Sequence, residues 1–280
     1  MTLAGIALGG CSSPTQNEPD VVVIETITAP AVPAPAASPD AAGAAVGGLD
    51  QFGAFAQQLA ARVGLAIVPV GGGQALTGGD YMSDVAWSTI KVPLAMAALA
   101  SDPTQVDNAT AALTVSDNSA AQAMWDSLGS GVAAATAVQQ VLAGYGDVTT
   151  MVQPEVVRPG YTAFGQTVWP LVDQAQFAAA MPCRDDAAAV LSLMGQISPD
   201  QSWGLGRLPG AHFKGGWGPD ESGGYLVRQF GVVDTASGQV AVSVAVAPDS
   251  GTFEDGIAVL DQVAPWLAPR LAALNVGTVC

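Results

Sequence analysis

Trp87-Ser88-Thr89-Ile90-Lys91-Val92-Pro93-Leu94 is the stretch from which the fold is read. It sets a hydroxyl and an amine three residues apart at the head of an apolar, Ala-rich run that reads as a helix to about Ala100. At that spacing both side chains lie on one helical face, close enough to share a proton. Lys91 and Lys214 are the only lysines in the sequence, and each stands inside a short pattern with chemical meaning.

Two further patterns follow in order, Ser116-Asp117-Asn118 and Lys214-Gly215-Gly216. Singly, each has a plain structural reading: a Ser near a Lys on a helix surface, a helix cap, a loop. Their order, and the use of both lysines, turns three weak signals into one constellation of acyl-transfer type. His212 is the only histidine, and no Gly-x-Ser-x-Gly elbow occurs, so a Ser-His-Asp triad is not expected. His212 reads as a partly buried strand residue.

With these motifs the chain resembles the penicillin-recognising serine hydrolases, closest in layout to class A β-lactamases. Ala112 to Gln122 resembles that family's helix start around its second motif, and Gly146-Asp147 through Glu155 to Trp169-Pro170 resembles its Ω-loop. The likeness spans roughly residues 49 to 275. It implies an α/β (α+β) fold of β-lactamase/transpeptidase type, with an antiparallel sheet flanked by terminal helices and joined to a helical part. It implies Ser88 as nucleophile, Lys91 as its base, Ser116 as proton relay, and Asn118 as a holder of substrate or Lys91. Lys214 would lower the Lys91 pKa as a second cation. The backbone N–H groups of Ser88 and Trp217 would form the oxyanion hole. Gly215 and Gly216 would border the substrate, which by this likeness is a β-lactam or a cell-wall D-alanyl-type amide or ester.

The sequence departs from the family pattern at Gly215, in a shorter segment between the first two motifs, and in an Ω-loop that lacks the Asn expected after Glu155. Gly215 stands where the family has Thr or Ser, losing a hydroxyl that binds a substrate carboxylate. Arg228 is a substitute anchor for that carboxylate or else a solvent-facing strand residue. Glu155 is the Ω-loop general base for deacylation or else an exposed loop carboxylate. A catalytically silent binding protein and a small serine esterase are therefore the competing readings.

The 280 residues are 50% apolar and 11% charged, enough for a substantial core. Eight Lys and Arg against 24 Asp and Glu leave a net charge of −16, which excludes a phosphate-binding footprint and hence nucleic acid as partner. No apolar run is long enough to span a bilayer. Leu8-Gly9-Gly10-Cys11 resembles the lipobox of bacterial lipoproteins, which would make Cys11 a lipidated membrane anchor; a chance cysteine is the other reading. The basic segment of an export signal is missing, so the natural start is expected upstream of Met1. Residues 12–48, rich in Pro, Ala and Ser, read as an extended tether holding a domain over residues 49–280 off the outer face of a membrane. Cys183 and Cys280 form either a disulfide, as an exported protein favours, or two separate thiols. One histidine supplies no zinc set, and neither metal nor cofactor is expected. The protein is expected to act as a monomer on a small or peptidoglycan-type substrate.

Within the domain, the spacing of Leu49, Phe52, Ala56, Leu59 and Val63 predicts a first helix, ended by Gly64. Strands are expected at 65–70 and near 76–79, helical segments at 108–128, 131–143, 170–181 and 184–196, and strands at 211–217, 225–233 and 239–247. A last helix follows Thr252, with a kink at Pro265. The expected layering puts 49–87 and 205–280 in the sheet layer and 88–204 in the helical part, with the site in the cleft between.

Overall fold

Gly64 lies inside a strand, not at the end of a helix. This computed structural model describes residues 49, 51–274 and 280, so the Cys11 lipobox and the 12–48 tether fall outside the described residues. The first helix is one short turn and a half, α1 (Phe52–Ala56), and β1 (Ala61–Pro69) has already begun where the helical spacing still fitted. Glycine suits position 64 because any Cβ there would collide with the Tyr81 carbonyl. Phe52, the one helical anchor, packs edge-on to Trp266.

Strands β2 (Leu76–Gly79) and β3 (Ser83–Val85) lead into a 3-10 turn, Trp87–Ile90, that runs directly into α2 (Lys91–Ser101). The segment expected at 108–128 is two helices, α3 (Val106–Thr114) and α4 (Asn118–Ser127), separated by the second motif. Helix α5 (Gly131–Gly144), strand β4 (Val168–Pro170), α6 (Leu171–Ala180) and α7 (Ala188–Met194) follow. The C-terminal meander is β5 (His212–Pro219), β6 (Tyr225–Thr235) and β7 (Gly238–Pro248), and α8 (Phe253–Ala273) closes the fold. Thr252 caps α8 through the Asp255 N–H at 3.3 Å. The helix is continuous through Pro265 and Pro269.

The main sheet is antiparallel, in the order β2-β1-β7-β6-β5, and β3 pairs with β4 in a separate two-stranded ribbon. On β7 the valines 240, 242, 244 and 246 join the core beneath α8, while Ala241 and Ala245 face the opposite core. Those small residues let α6 lie flat on the sheet through Ala175, Ala178 and Ala179. So α6, expected in the helical part, is in fact a sheet-packing helix. The rest of the helical part, α2 to α5, packs around α2. β5 is an edge strand, and one side of it runs against the turn that carries Ser88. No helix among the described residues is long and apolar enough to cross a membrane.

Candidate active site

The Ser88 turn is held from beneath by a buried polar chain. Thr89 Oγ1 donates to the Ala86 carbonyl at 2.5 Å and accepts from Gln174 Nε2 at 3.0 Å. Gln174 Oε1 in turn accepts from Ser243 at 2.6 Å and from Arg228 at 2.9 Å. Buried hydrogen-bond networks of this kind hold a backbone rigidly. Trp87, one residue before Ser88, has φ of +49°, a conformation that non-glycine residues seldom adopt. Strain of this sort persists only where the surroundings impose it. Here the Trp87 ring lies against Gly218, where any Cβ would clash with it, and edge-on to Tyr161 at 5.1 Å between centroids.

Ser116 also has positive φ, +58°, between α3 and α4. Asp117 caps α4 by accepting from the Ala120 N–H at 2.7 Å, so its carboxylate serves structure. The turn presents oxygens to Lys91, whose Nζ donates to Ser116 O at 2.6 Å and Asn118 Oδ1 at 2.7 Å. Ser116 Oγ and Asp117 O lie farther, each at 3.3 Å. Lys214 reaches the same hydroxyl from the other side, Nζ to Ser116 Oγ 3.0 Å, and donates to Gly215 O at 2.9 Å. Ser116 Oγ thus accepts from both lysines, which leaves its own proton to be donated elsewhere.

Both lysines are buried, at 1% and 0% exposure. Burial pulls the Lys91 pKa down to about 7, partly opposed by Asp117. Lys214 is pushed well below the ordinary lysine value by burial first and by the Lys91 charge second. Ser88 is half-buried, and no hydrogen bond joins its Oγ to Lys91. The expected shared proton is therefore not a formed contact: Lys91 is turned toward Ser116 and Asn118. Ser88, Lys91, Asn118 and Trp217 nevertheless line one cleft of about 520 Å³.

On β5 the side of each residue alternates. Gly216 faces the Ser88 turn, with room for no side chain: a Cβ would lie 2.8 Å from the Ser88 nitrogen. Gly215 faces away, its own Cβ position 3.2 Å from the Trp203 ring. The Trp217 ring turns to the same far layer, stacking near Phe253 at 5.1 Å, while its residue still borders the cleft.

Two of the candidate residues stand apart from the cleft. Arg228 is not a substrate anchor. It is fully buried, and its guanidinium donates to Asp84 O (2.8 Å), Val85 O (3.0 Å) and Trp169 O (2.8 Å) as well as to Gln174. Burial lowers its pKa to about 10. Glu155 is exposed and stands outside the residues lining the cleft. It projects into solvent because the loop is pinned elsewhere, by the buried Asp147, which accepts from Trp169 Nε1 at 2.8 Å and Thr150 N at 3.0 Å. The loop residues that do face the cleft are Val156, Gly160, Tyr161, Thr162, Phe164 and Gly165, missed by the sequence reading. Gln166 holds that stretch in place, accepting from Arg158 N at 2.7 Å and donating to Thr162 O at 3.2 Å. A buried Gln in a loop carries no recognisable sequence pattern. His212 is half-buried on β5, its Nδ1 2.8 Å from Leu191 O and remote from Ser88. Cys183 and Cys280 are joined in a disulfide.

No protein-family model and no curated protein sequence matches the chain. Solved structures do. The TLA-3 extended-spectrum β-lactamase superposes with a TM-score of 0.66 at 12% identity, covering 80% of this chain and 98% of that one. A class A β-lactamase from Bacteroides cellulosilyticus DSM 14838 gives 0.66 at 12% identity over 80% and 96%. A β-lactamase from Sphaerobacter thermophilus DSM 20745 gives 0.59 at 17% over 80% and 97%. The fold is that of the class A β-lactamases.

Proposed function

We propose that this is an acyl-transfer site in which Ser88 forms a covalent acyl-enzyme. The observation that carries the reading is Ser116 Oγ held between two buried lysines in the cleft that Ser88 borders. In the first step Ser88 Oγ bonds to an activated acyl carbon while its proton passes to neutral Lys91 Nζ. Lys91, with a pKa near 7, is partly in that form at neutral pH. The carbonyl oxygen, negative in the tetrahedral intermediate, is received by the Ser88 and Trp217 backbone N–H groups. The bond from the acyl carbon to the leaving oxygen or nitrogen then breaks, and the leaving atom takes the Ser116 proton. Ser116 is refilled from Lys91 across the hydrogen bond they share.

Release of the acyl group is the slow step. The cleft lining holds no carboxylate and no histidine among the described residues, so no base besides Lys91, which is turned toward Ser116 and Asn118, stands ready to activate water. The acyl-enzyme should accumulate.

A β-lactam or D-alanyl-type donor is what likeness to β-lactamases alone suggests, but the chemistry asks only for an activated acyl carbon. The Leu8-Gly9-Gly10-Cys11 pattern and the disulfide support an exported, lipid-anchored form. A second reading, a silent binding protein, is favoured by the missing Ser88–Lys91 hydrogen bond. Labelling by a neutral fluorophosphonate decides between them. Wild type should gain one adduct by intact mass and Ser88→Ala none; equal or absent labelling in both removes the acyl-transfer reading.

A further inference from the structure

We propose that the site takes neutral acyl donors with an apolar acyl group, esters above all, and discriminates against donors that carry a carboxylate. This rests on the acyl-transfer reading and names its substrate class.

The cation inventory is complete: all eight Lys and Arg of the chain, and its one His, lie in the described region. Lys91 and Lys214 are the two at the site, and their ammonium groups are buried and bonded to Ser116, Asn118 and nearby carbonyls. Arg228 is sealed beneath the Ser88 turn on three backbone carbonyls. Arg184 pairs with Asp186, Arg207 with Asp261, and Arg62 stands over Tyr81 by Asp80. Arg270 lies over Trp266, and His212 bonds to Leu191 O. That leaves Arg158. Its two Nη atoms donate to Pro219 O at 2.7 Å and Asp220 O at 3.1 Å, and it borders the neighbouring hollow, not the Ser88 cleft.

A carboxylate entering the cleft would therefore meet no free guanidinium or ammonium. It would also meet like charge. The neighbouring hollow, about 690 Å³, shares Trp87, Gly218, Pro219 and Tyr225 with the cleft and carries Asp84, Asp220, Glu221 and Asp249. These carboxylates repel an anion and leave a neutral donor unaffected. The cleft walls add a positive preference. Tyr161 and Tyr225, half-buried in the cleft wall, and the edge of Trp87 offer aromatic surface on which an acyl chain can bury apolar area. The acylation balances as above: Ser88 Oγ replaces the alcohol or phenol oxygen at the acyl carbon, and the leaving oxygen departs with the Ser116 proton.

The test compares two phenylacetyl esters that differ in one charge, those of methyl 3-hydroxybenzoate and of 3-hydroxybenzoate. Acylation of the full chain is followed by intact mass at low salt, each rate divided by that ester's own rate with hydroxide. The neutral ester should acylate Ser88 faster by about tenfold or more, and faster than the corresponding acetyl ester. Penicillin, an anion, should label poorly. Equal rates, or a faster anionic ester, would overturn the proposal; so would Arg158→Gln slowing the anionic ester alone, since that would make Arg158 the anchor. If neither ester reacts while the fluorophosphonate still labels Ser88, the substrate class is wrong and the acyl-transfer reading stands. If Ser88 is not labelled by the fluorophosphonate either, the underlying reading has failed.

Discussion

Gly216 and Ser88 meet backbone to backbone: a methyl group on Gly216 would sit 2.8 Å from the Ser88 nitrogen and 2.9 Å from that of Thr89. The close approach brings the β5 edge against the start of the Ser88 turn, which is where an oxyanion hole formed by Ser88 and Trp217 has to lie. Gly216→Ala must push the strand and the turn apart. We expect fluorophosphonate labelling of Ser88 to slow by about 100-fold, the scale of losing one oxyanion donor. Circular dichroism should show the fold retained. Labelling at the wild-type rate would mean that the two N–H groups do not act together.

The lowered Lys91 pKa predicts a pH profile. Neutral Lys91 is the base, so acylation by a neutral ester should rise about tenfold per pH unit below 6 and level off above 8, with its midpoint near 7. The same shift affects stability with a definite sign. Unfolding returns Lys91 to its ordinary value of 10.5, so between pH 7 and 10.5 the unfolded chain binds the extra proton. Stability should therefore increase as pH rises through that window and be lost as it falls toward 7. Lys91→Met should abolish acylation and flatten the Lys91 part of the stability slope. A wild-type acylation rate independent of pH from 5 to 9 would remove Lys91 as the base.

Glu155 gives a prediction of no effect. The carboxylate is exposed and lies outside the cleft lining, so Glu155→Gln should change acyl-enzyme decay by less than about twofold. Pulse-chase mass spectrometry of the labelled protein measures this directly. A large slowing would show that the loop swings Glu155 onto the acyl group.

What the sequence disclosed depends on which contacts follow from periodicity. The valines of β7 announce both of its faces, and the structure keeps that assignment. The three motifs could be recognised because each is short and chemically distinctive. Leu49 to Val63 misled because helical spacing in a short apolar segment also fits a strand entry. What decides Gly64 is the Tyr81 carbonyl, a contact 17 residues away in the chain. Arg228 pairs with Gly216 in register, so its face was readable, but its depth beneath Ser83–Val85 was not. Glu155 and Gln166 lie in a loop without periodicity, where direction is set by tertiary hydrogen bonds alone.

Arg228 should act on stability rather than on substrate recognition. Replacing it with Met takes the guanidinium donor from the carbonyls of Asp84, Val85 and Trp169 in a dry interior and leaves Gln174 Oε1 with Ser243 alone. The expected loss is about 3 kcal/mol or more in urea unfolding, since each buried acceptor left without a partner costs about 1–3 kcal/mol. Arg228→Lys should recover little of it, since an ammonium cannot reproduce a planar fork that spans four acceptors. A variant of wild-type stability with a raised KM would restore Arg228 as a substrate ligand.

The disulfide closes the chain across 97 residues, joining Cys183 at the end of α6 to Cys280, beyond α8. A cross-link of that span removes much of the unfolded chain's freedom, and loop-closure entropy puts the stabilisation at about 4–5 kcal/mol. Each cysteine sits outside the cleft, so its loss should be felt in unfolding alone. The double variant Cys183→Ser with Cys280→Ser should lose up to about 4 kcal/mol in urea, while the folded fraction still labels at Ser88. Reduction of the wild type with excess dithiothreitol should give the same loss. A difference between the two would mean that the serines, and not the missing bond, disturb the end of α6.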